Sequence, residues 1–319
     1  MNKTVLVTGG TGFLAVHTIL RLLRQGYKVK TTMRSLTRGE SIIQALKEGG
    51  LTEFDNLSFY EANLSADKGW NEAMRNCDYV LHIASPFPAE QPKDENELII
   101  PARDGSLRVL KAARNAGVKR VVLTSSFAAI GYSKDPQNHI FTEEDWTDER
   151  APIMPYIKSK TIAEKAAWLF IENEGRDMEL TVINPVGIFG PVLGEISSAS
   201  LDTVIKGIIS GTITESPAHT FGVVDVRDAA ALHIKAMLHP KAKGQRFLTT
   251  SDGAMSFYDV AQFIKQHRPA LATNVADMKP TEKEHYVQMS NQKAVTTLDW
   301  HPRSREEAIL ASIDSLFNR

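Results

Sequence analysis

The residues best suited to chemistry are a phenol and an ammonium four positions apart, in the run Tyr156-Ile-Lys-Ser-Lys160. Positions i and i+4 share one face of a helix, so both side chains would point into the same cleft. An ammonium beside a phenol favours the phenolate and lowers a tyrosine pKa whose ordinary value is about 10. The pair therefore predicts a group for proton transfer near neutral pH. An exposed helix turn would show the same spacing, so the surrounding sequence has to decide between the two interpretations.

Hydroxyl side chains stand at the end of a predicted strand, residues 120–125, in the run Thr124-Ser-Ser126. Open α/β sheets bind their ligands at the carboxyl edge of the strands. The serines, Tyr156 and Lys160 are therefore expected to converge at that edge, which favours the catalytic interpretation of the tyrosine–lysine pair.

A glycine-rich loop follows the first predicted strand, in the run Thr8-Gly-Gly-Thr-Gly-Phe-Leu-Ala15. Gly9, Gly12 and Ala15 stand three apart, as in loops that bind dinucleotides. Small residues let the backbone approach the pyrophosphate, and the N–H groups at the start of the next helix attract phosphate. Such a loop can be only a turn, but its position between a strand and a helix favours a dinucleotide site.

The end of the second predicted strand discriminates NAD from NADP. An acidic residue about 20 positions after the glycines would bind the ribose hydroxyls of NAD. No Asp or Glu occurs from residue 27 to residue 39, whereas Arg34 and Arg38 do. Guanidinium groups suit a phosphate oxyanion, so we expect NADP rather than NAD. The alternative is that both arginines are solvated surface residues.

Short β-rich runs alternate with helical patterns through the first 185 residues, which predicts a parallel sheet with helices on both faces. We expect an α/β fold with a Rossmann-type doubly wound sheet and a smaller C-terminal substrate lobe. The NADP-binding domain would span residues 1–185. The substrate lobe would occupy most of residues 186–319, and some of its segments would return to the first domain. The predicted strands are residues 4–8, 27–33, 57–61, 79–84, 120–125, 180–184 and 221–226, and the predicted helices include 96–116, 156–173 and 201–209.

Composition excludes several classes of protein. The chain has 319 residues, 37 basic and 38 acidic, and a formal net charge of -1, so a nucleic-acid partner is not expected. Its one cysteine, Cys77, excludes an internal disulfide framework. The nine histidines show no metal-binding spacing. No apolar run is long enough to cross a membrane and no signal peptide is visible, so we expect a cytoplasmic protein without a membrane partner.

The combination of motifs resembles the extended short-chain dehydrogenase/reductase family, and within it the dihydroflavonol reductase-like group. This group includes cinnamoyl-CoA reductases and microbial aldehyde and ketone reductases. The resemblance covers nearly the whole chain. It is carried by Thr8-Gly-Gly-Thr-Gly-Phe13, His82-Ile-Ala-Ser-Pro-Phe87, Thr124-Ser-Ser126, Tyr156-Ile-Lys-Ser-Lys160, Ala163-Glu-Lys-Ala-Ala-Trp168, Asn184-Pro-Val186, Phe189-Gly-Pro191 and Val224-Asp-Val-Arg-Asp228.

The resemblance implies a role for each catalytic residue. Ser126 would hydrogen-bond the substrate carbonyl, Tyr156 would protonate it, and Lys160 would hold the nicotinamide ribose and lower the Tyr156 pKa. Arg34 and Arg38 would bind the 2′-phosphate, and Asn63 and Leu64 the adenine. The full set of expected cofactor contacts is Gly9, Thr11, Gly12, Phe13, Leu14, Arg34, Arg38, Asn63, Leu64, Ala84, Tyr156, Lys160, Pro185, Ile188 and Ser200.

We therefore expect an NADPH-dependent reductase of aldehydes or ketones, active as a monomer or homodimer on small carbonyl compounds. The expected substrate-binding residues are apolar: Phe87, Phe127, Ile130, Phe189 and Leu193. Plant flavonoid reductases carry an asparagine where this chain has Gly131, which argues against a flavonoid substrate. Two alternatives remain open, an NAD(P)-dependent sugar-nucleotide epimerase or dehydratase on the same fold, and a non-catalytic protein that senses NADP.

Overall fold

The computed structural model describes residues 3–86, 94–196 and 198–317. The strands are β1 (Thr4–Val7), β2 (Lys28–Met33), β3 (Leu57–Glu61), β4 (Tyr79–His82), β5 (Arg120–Thr124), β6 (Ile140–Phe141), β7 (Glu179–Pro185), β8 (Gly187–Phe189), β9 (Phe221–Asp225), β10 (Arg246–Thr249), β11 (Ala254–Met255) and β12 (Gln288–Met289). The helices are α1 (Phe13–Arg24), α2 (Gly39–Glu48), α3 (Trp70–Met74), α4 (Asn96–Asn115), α5 (Pro155–Glu174), α6 (Gly207–Ile209), α7 (Val226–Leu238), α8 (Phe257–His267), α9 (Gln292–Leu298) and α10 (Arg305–Phe317).

A seven-stranded sheet forms the centre of the molecule, in the order β10-β7-β5-β4-β1-β2-β3. Every pair of neighbouring strands in it is parallel. Parallel sheets need helices on both faces, and their strands are therefore apolar throughout rather than alternating. The Rossmann-type doubly wound fold predicted from the sequence is confirmed.

The two faces of this sheet belong to two separate clusters of buried side chains. In β1, Val5 and Val7 lie in one cluster with residues of α1, α2 and α7. Leu6 points the other way and packs with residues of α3, α4 and α5. The period of two along a strand thus divides the helices into two layers with the sheet between them.

The C-terminal half contributes to both regions of the molecule. Strand β10, which was not predicted from the sequence, returns to the large sheet and pairs with β7. Strands β11, β9 and β8 form a separate three-stranded sheet. The predicted helix 201–209 is present, but its first part, Leu201–Lys206, is a π-helix. Single π-helical turns often occur at functional sites.

Several candidate features carry no site in the described ranges. No helix there is long and apolar enough to cross a membrane. No group of three or more His, Cys, Asp or Glu side chains in those ranges could hold a metal ion. Cys77 is buried, and burial raises the pKa of its thiol to about 11, so it is a poor nucleophile.

Candidate active site

A cleft of about 780 Å³ opens at the carboxyl edge of the large sheet. The ends of β1, β2, β3, β4, β5 and β7 and the start of α5 all border it, because parallel strands finish at the same edge. It is lined by every residue expected to contact a cofactor: Gly9, Thr11, Gly12, Phe13, Leu14, Arg34, Arg38, Asn63, Leu64, Ala84, Tyr156, Lys160, Pro185, Ile188 and Ser200.

The glycine loop lies directly against β4. Gly9 has a φ of +72°, and a Cβ there would lie 2.9 Å from the Cβ of Ala84, so only glycine fits. The N–H of Gly12 donates to the carbonyl of Gly9, which folds the loop back before α1 begins. The first turn of α1 has neither an acidic residue nor a side-chain cap. Its N–H groups are thus suited to bind a pyrophosphate.

Thr8 fixes this loop to the neighbouring strand. Its hydroxyl oxygen accepts hydrogen bonds from the N–H groups of Ile83 and Ala84, at 3.1 and 3.0 Å. With both lone pairs in use, the hydroxyl donates to Nδ1 of His82, 2.9 Å away. Burial, with a smaller contribution from the charge of Lys160, lowers the pKa of His82 to about 3. His82 is therefore a neutral structural residue at physiological pH.

Arg34 and Arg38 supply the basic end of the cleft. Arg34 directly follows β2, and Arg38 ends a 3₁₀ turn, Leu36–Arg38. The Ser35 hydroxyl caps this turn by accepting the N–H of Thr37. Both arginines are exposed, and neither makes an ion pair within residues 3–86, 94–196 and 198–317. Two unpaired guanidinium groups beside a pyrophosphate cradle fit the extra phosphate of NADP.

Asn63 and Leu64, which follow the neighbouring strand β3, also line the cleft. The side-chain oxygen of Asn63 accepts the N–H of Ser65 at 3.1 Å, and its carbonyl accepts the indole N–H of Trp70 at 3.0 Å. These contacts hold the Asn63 turn in place while leaving its amide N–H₂ as a donor. Trp70 itself lines the cleft, and the sequence analysis did not identify it.

Two of the three candidate catalytic side chains, Ser126 and Tyr156, border both this cleft and a second cavity, and Lys160 lines the cleft. Ser126 follows β5, and its hydroxyl accepts the N–H of Ala128 at 3.1 Å. It is also hydrogen-bonded to the hydroxyl of Tyr156, which stands in the first turn of α5. Lys160 follows one turn later, with its Nζ 5.8 Å from the centre of the Tyr156 ring. Its ammonium donates to the Ser85 hydroxyl at 2.8 Å.

The pKa of the Tyr156 phenol is raised, whereas the sequence predicted that Lys160 would lower it. Burial raises it, and the hydrogen bond from Ser126 opposes that effect only in part. The phenol of Tyr132 adds to the rise. Tyr156 is therefore protonated at neutral pH and suited to donate a proton. Burial also lowers the pKa of Lys160 to about 8, although the charge of Glu164 raises it.

The second cavity, of about 540 Å³, adjoins the first at six shared residues: Ser126, Tyr156, Pro185, Val186, Ala199 and Ser200. Much of its wall is apolar, as is usual in sites for small organic ligands. Histidines and a lysine occupy other parts of the wall. The lining includes Phe127, Gly131, Tyr132, Lys134, Met154, His219, Phe221, His285 and Val287.

Three of the predicted substrate contacts lie away from both cavities among the described residues. Ile130 is fully buried and packs with Phe127 in a small core cluster, and Phe189 is 1% exposed and stacks on Phe221. Leu193 packs against the large core. None of the three lines either cavity in the described part of the chain. Phe127 does line the second cavity, and Phe87 lies outside the described residues.

Several lining residues were missed because they come from separate segments. Tyr132, Met154 and Phe221 belong to three parts of the chain that only the fold brings together. Tyr132 and Met154 are 48% and 54% exposed, and exposure of such large apolar groups marks a contact surface only after the structure is known. Ser85, which accepts a hydrogen bond from Lys160, could have been predicted more easily than these residues. It follows β4 and so lies at the same edge of the sheet as Ser126.

Gly131 determines the shape of one wall of the second cavity. A Cβ at this position would lie 2.4 Å from the Cζ of Phe127. The aromatic ring therefore occupies the space that a side chain at residue 131 would need. This packing makes the wall apolar at the position where the sequence analysis noted a missing asparagine.

Comparison with known proteins gives consistent matches. Residues 5–248 match the NAD dependent epimerase/dehydratase family. The chain is 32% identical over 324 residues to a cinnamoyl-CoA reductase of Medicago truncatula, covering 99% of this chain and 96% of the relative. It is 30% identical over 329 residues to an NADPH-dependent methylglyoxal reductase of Saccharomyces cerevisiae, covering 96% of each. The solved structure of Gre2 from Candida albicans in complex with NADPH superposes with a TM-score of 0.85 at 30% identity and 99% coverage of both chains.

Proposed function

The chain belongs to the NAD dependent epimerase/dehydratase family, and from its similarity to NADPH-dependent reductases within that family we propose that it reduces aldehydes and ketones to alcohols with NADPH. It is an NADP-dependent oxidoreductase that acts on carbonyl groups. The observation that carries the proposal is the position of the Ser126 and Tyr156 hydroxyls. They lie where a cleft with a glycine loop and two arginines meets a largely apolar cavity.

The residues of the cleft would divide the cofactor among them. The glycine loop and the start of α1 would bind the pyrophosphate, and Arg34 and Arg38 the 2′-phosphate. Asn63 and Leu64 would contact the adenine. Lys160, at the other end of the cleft, would hold the nicotinamide ribose. NADPH in this position supplies the hydride that is added to the carbonyl carbon.

The protein's own groups would complete the reduction at the carbonyl oxygen. The Ser126 hydroxyl hydrogen-bonds that oxygen and stabilises the negative charge that develops on it. Tyr156 donates its phenolic proton to the same oxygen. The ammonium of Lys160, close to the Tyr156 ring, stabilises the phenolate that remains. A proton from solvent then restores the phenol before the next turnover.

We propose medium-sized apolar or aromatic carbonyl compounds as substrates. The second cavity offers about 540 Å³ beside the two hydroxyls. Phe127, Met154 and Phe221 would contact the apolar body of such a compound. We further propose that residues 1–185 mainly bind the cofactor, that residues 186–319 mainly shape the substrate site, and that the enzyme acts as a monomer or homodimer.

A panel of carbonyl compounds tests this function directly. The purified protein is mixed with NADPH and with aliphatic or aromatic aldehydes and ketones, and loss of NADPH is followed together with formation of the alcohol. We expect stoichiometric alcohol formation with at least one aromatic member of the panel. An epimerase or dehydratase would instead convert a sugar nucleotide with no net consumption of cofactor, and a non-catalytic sensor would bind NADPH without either reaction. Either result would overturn the proposal.

A further inference from the structure

We propose that Glu164 is a positioning residue for the reduction, because its buried carboxylate fixes the serine turn after β5 and supplies the counter-charge to Lys160. This inference rests on the proposed reductase function, in which Ser126 and Lys160 both act. Glu164 lies on α5, one turn beyond Lys160 and two turns beyond Tyr156. It does not line the second cavity and would touch neither substrate nor cofactor, so its effect would pass through other residues.

Four donors surround the carboxylate, and its side chain has no solvent exposure. One oxygen accepts the Ser125 hydroxyl at 2.5 Å and the Asn184 amide at 2.7 Å. The other accepts Nε of Arg246 at 2.6 Å and the indole N–H of Trp168 at 3.2 Å. These donors come from the turn after β5, from β7 and β10, and from α5, so one carboxylate joins the serine turn and two strands of the sheet to the catalytic helix.

The position of Ser126 depends on this arrangement. The amide nitrogen of Asn184 donates one hydrogen to Glu164 and the other to the carbonyl of Ser126, 3.1 Å away. The amide oxygen of Asn184 is buried and has no hydrogen-bond partner among the described residues. The orientation of this amide therefore depends on its two donated bonds. Loss of the one to Glu164 would allow the amide and the Ser126 peptide to move.

Lys160 depends on the same carboxylate for its charge. The ammonium is buried, and burial disfavours a charged group, which lowers its pKa to about 8. The charge of Glu164 acts in the opposite direction and raises that pKa. The other groups that face the ammonium are the neutral His82 of β4, the Ser85 hydroxyl and Tyr156. None of them supplies a negative charge at neutral pH.

Arg246 partly neutralises the charge of Glu164, which limits how far that charge raises the Lys160 pKa. It also fixes the position of the carboxylate. Its guanidinium lies 3.7 Å above the Trp146 ring and donates to the carbonyls of Glu143 and Asp145. It is thus held independently of Glu164. The nearby carboxylate of Glu143 accepts the N–H of Leu248 and lies close to Lys293, not to Lys160. The Glu164 carboxylate therefore forms an ion pair with one buried cation, the structural Arg246, and lines the same small cavity as a second, the catalytic Lys160.

Glu164→Gln removes the charge and keeps the shape. Reduction needs a protonated Lys160, so activity falls as the pH rises through the Lys160 pKa, well before the raised pKa of Tyr156 is reached. Without the carboxylate that pKa falls. We expect the alkaline limb of kcat/KM for the carbonyl, at saturating NADPH, to move down by about one pH unit. A merely structural role would lower activity at every pH without moving the limb.

Two further variants complete the experiment. Glu172→Gln removes an exposed carboxylate from the same helix and should leave the limb in place. Glu164→Asp keeps the negative charge on a shorter side chain. It should leave the alkaline limb of kcat/KM at the same pH and lower kcat. If Glu164→Gln does not fold, wild-type kcat in Glu164→Asp would overturn the positioning role by itself.

The outcomes also separate this inference from the proposed function. An unmoved limb in a folded Glu164→Gln protein overturns the role of Glu164 while the reductase assignment stands. Absence of carbonyl reduction in the wild type overturns the function itself, before any variant is compared.

Discussion

The two cavities that meet at Tyr156 are built in different ways. The cofactor cleft carries two arginines that make no ion pair among the described residues and a loop of backbone N–H groups, and it follows the ends of adjacent strands in one sheet. The second cavity is mainly apolar and takes its walls from separated segments that include Tyr132, Met154 and Phe221. Charged groups and backbone geometry thus form the site for the cofactor, which is the same in every reaction. Side chains from separate segments form the site for the carbonyl substrate, which differs from one reaction to the next.

This difference predicts how substitutions will separate. A change in the cleft should alter the use of NADPH with every substrate. A change in the wall of the second cavity should alter the KM for one class of carbonyl compound and leave the KM for NADPH unchanged. A change at the junction, where Ser126 and Tyr156 border both cavities, should affect the chemical step itself.

The largest effect is expected at the junction. Tyr156→Phe removes the proton donor and keeps the ring, so kcat for carbonyl reduction should fall by about 10²–10⁴-fold. NADPH binding, followed by its fluorescence, should remain near the wild-type value. Tyr27→Phe, a change just before β2 and therefore at the opposite edge of the sheet from the cleft, serves as the matched control and should keep full activity. Full activity in Tyr156→Phe would exclude the phenol as the acid.

A smaller effect, confined to the cofactor, is expected from Arg34→Ala. The loss of one charge-assisted hydrogen bond to a phosphate costs ~1.5–3 kcal/mol, so the KM for NADPH should rise about tenfold or more. The KM for NADH should stay nearly constant, since NADH lacks that phosphate. Steady-state kinetics with both cofactors measure the ratio. An equal rise for both would show that Arg34 does not recognise the 2′-phosphate.

The smallest effect is expected in the wall of the second cavity. Met154 is 54% exposed, so Met154→Ala should leave thermal stability unchanged and raise the KM for bulky aromatic ketones by about fivefold through lost apolar contact. Leu193→Ala is the comparison, because Leu193 packs against the core and lines neither cavity in the described residues. It should lower stability and leave that KM unchanged. The reverse pattern would contradict the wall described above.

The cofactor cleft could be predicted because its residues have a fixed relation to strand ends. Gly9, Arg34, Asn63 and Ser126 each follow a parallel strand closely, and parallel strands end at one edge. A strand can be recognised from a short apolar run, so the residues beyond it can be assigned to that edge without knowledge of distant contacts.

The second cavity could not be predicted in the same way. Ile188 and Phe189 were both expected at the site, but neighbours on a strand point to opposite faces. Ile188 of β8 faces the cleft, and Phe189 is buried against Phe221. Met154 and Tyr132 reach the cavity through loops, whose paths depend on packing rather than on a repeating pattern.

The charge state of the catalytic groups could not be predicted from the sequence either. The spacing of Tyr156 and Lys160 predicts a shared helix face but not how deeply that face is buried. Burial raises the pKa of the phenol and lowers that of the ammonium, so both groups shift in the direction opposite to that favoured by a simple ion pair. Glu164, the opposing charge, comes one turn later and was part of a family motif without an assigned role.

The transfer of hydride from NADPH to a carbonyl carbon is the central claim, and an isotope experiment tests it most directly. NADPH carrying deuterium at the transferable position of the nicotinamide is incubated with the wild-type protein and an aromatic aldehyde or ketone. Mass spectrometry should find one deuterium on the carbon of the new alcohol for each NADPH consumed. An alcohol without deuterium, or consumption of NADPH without an alcohol, would contradict the account.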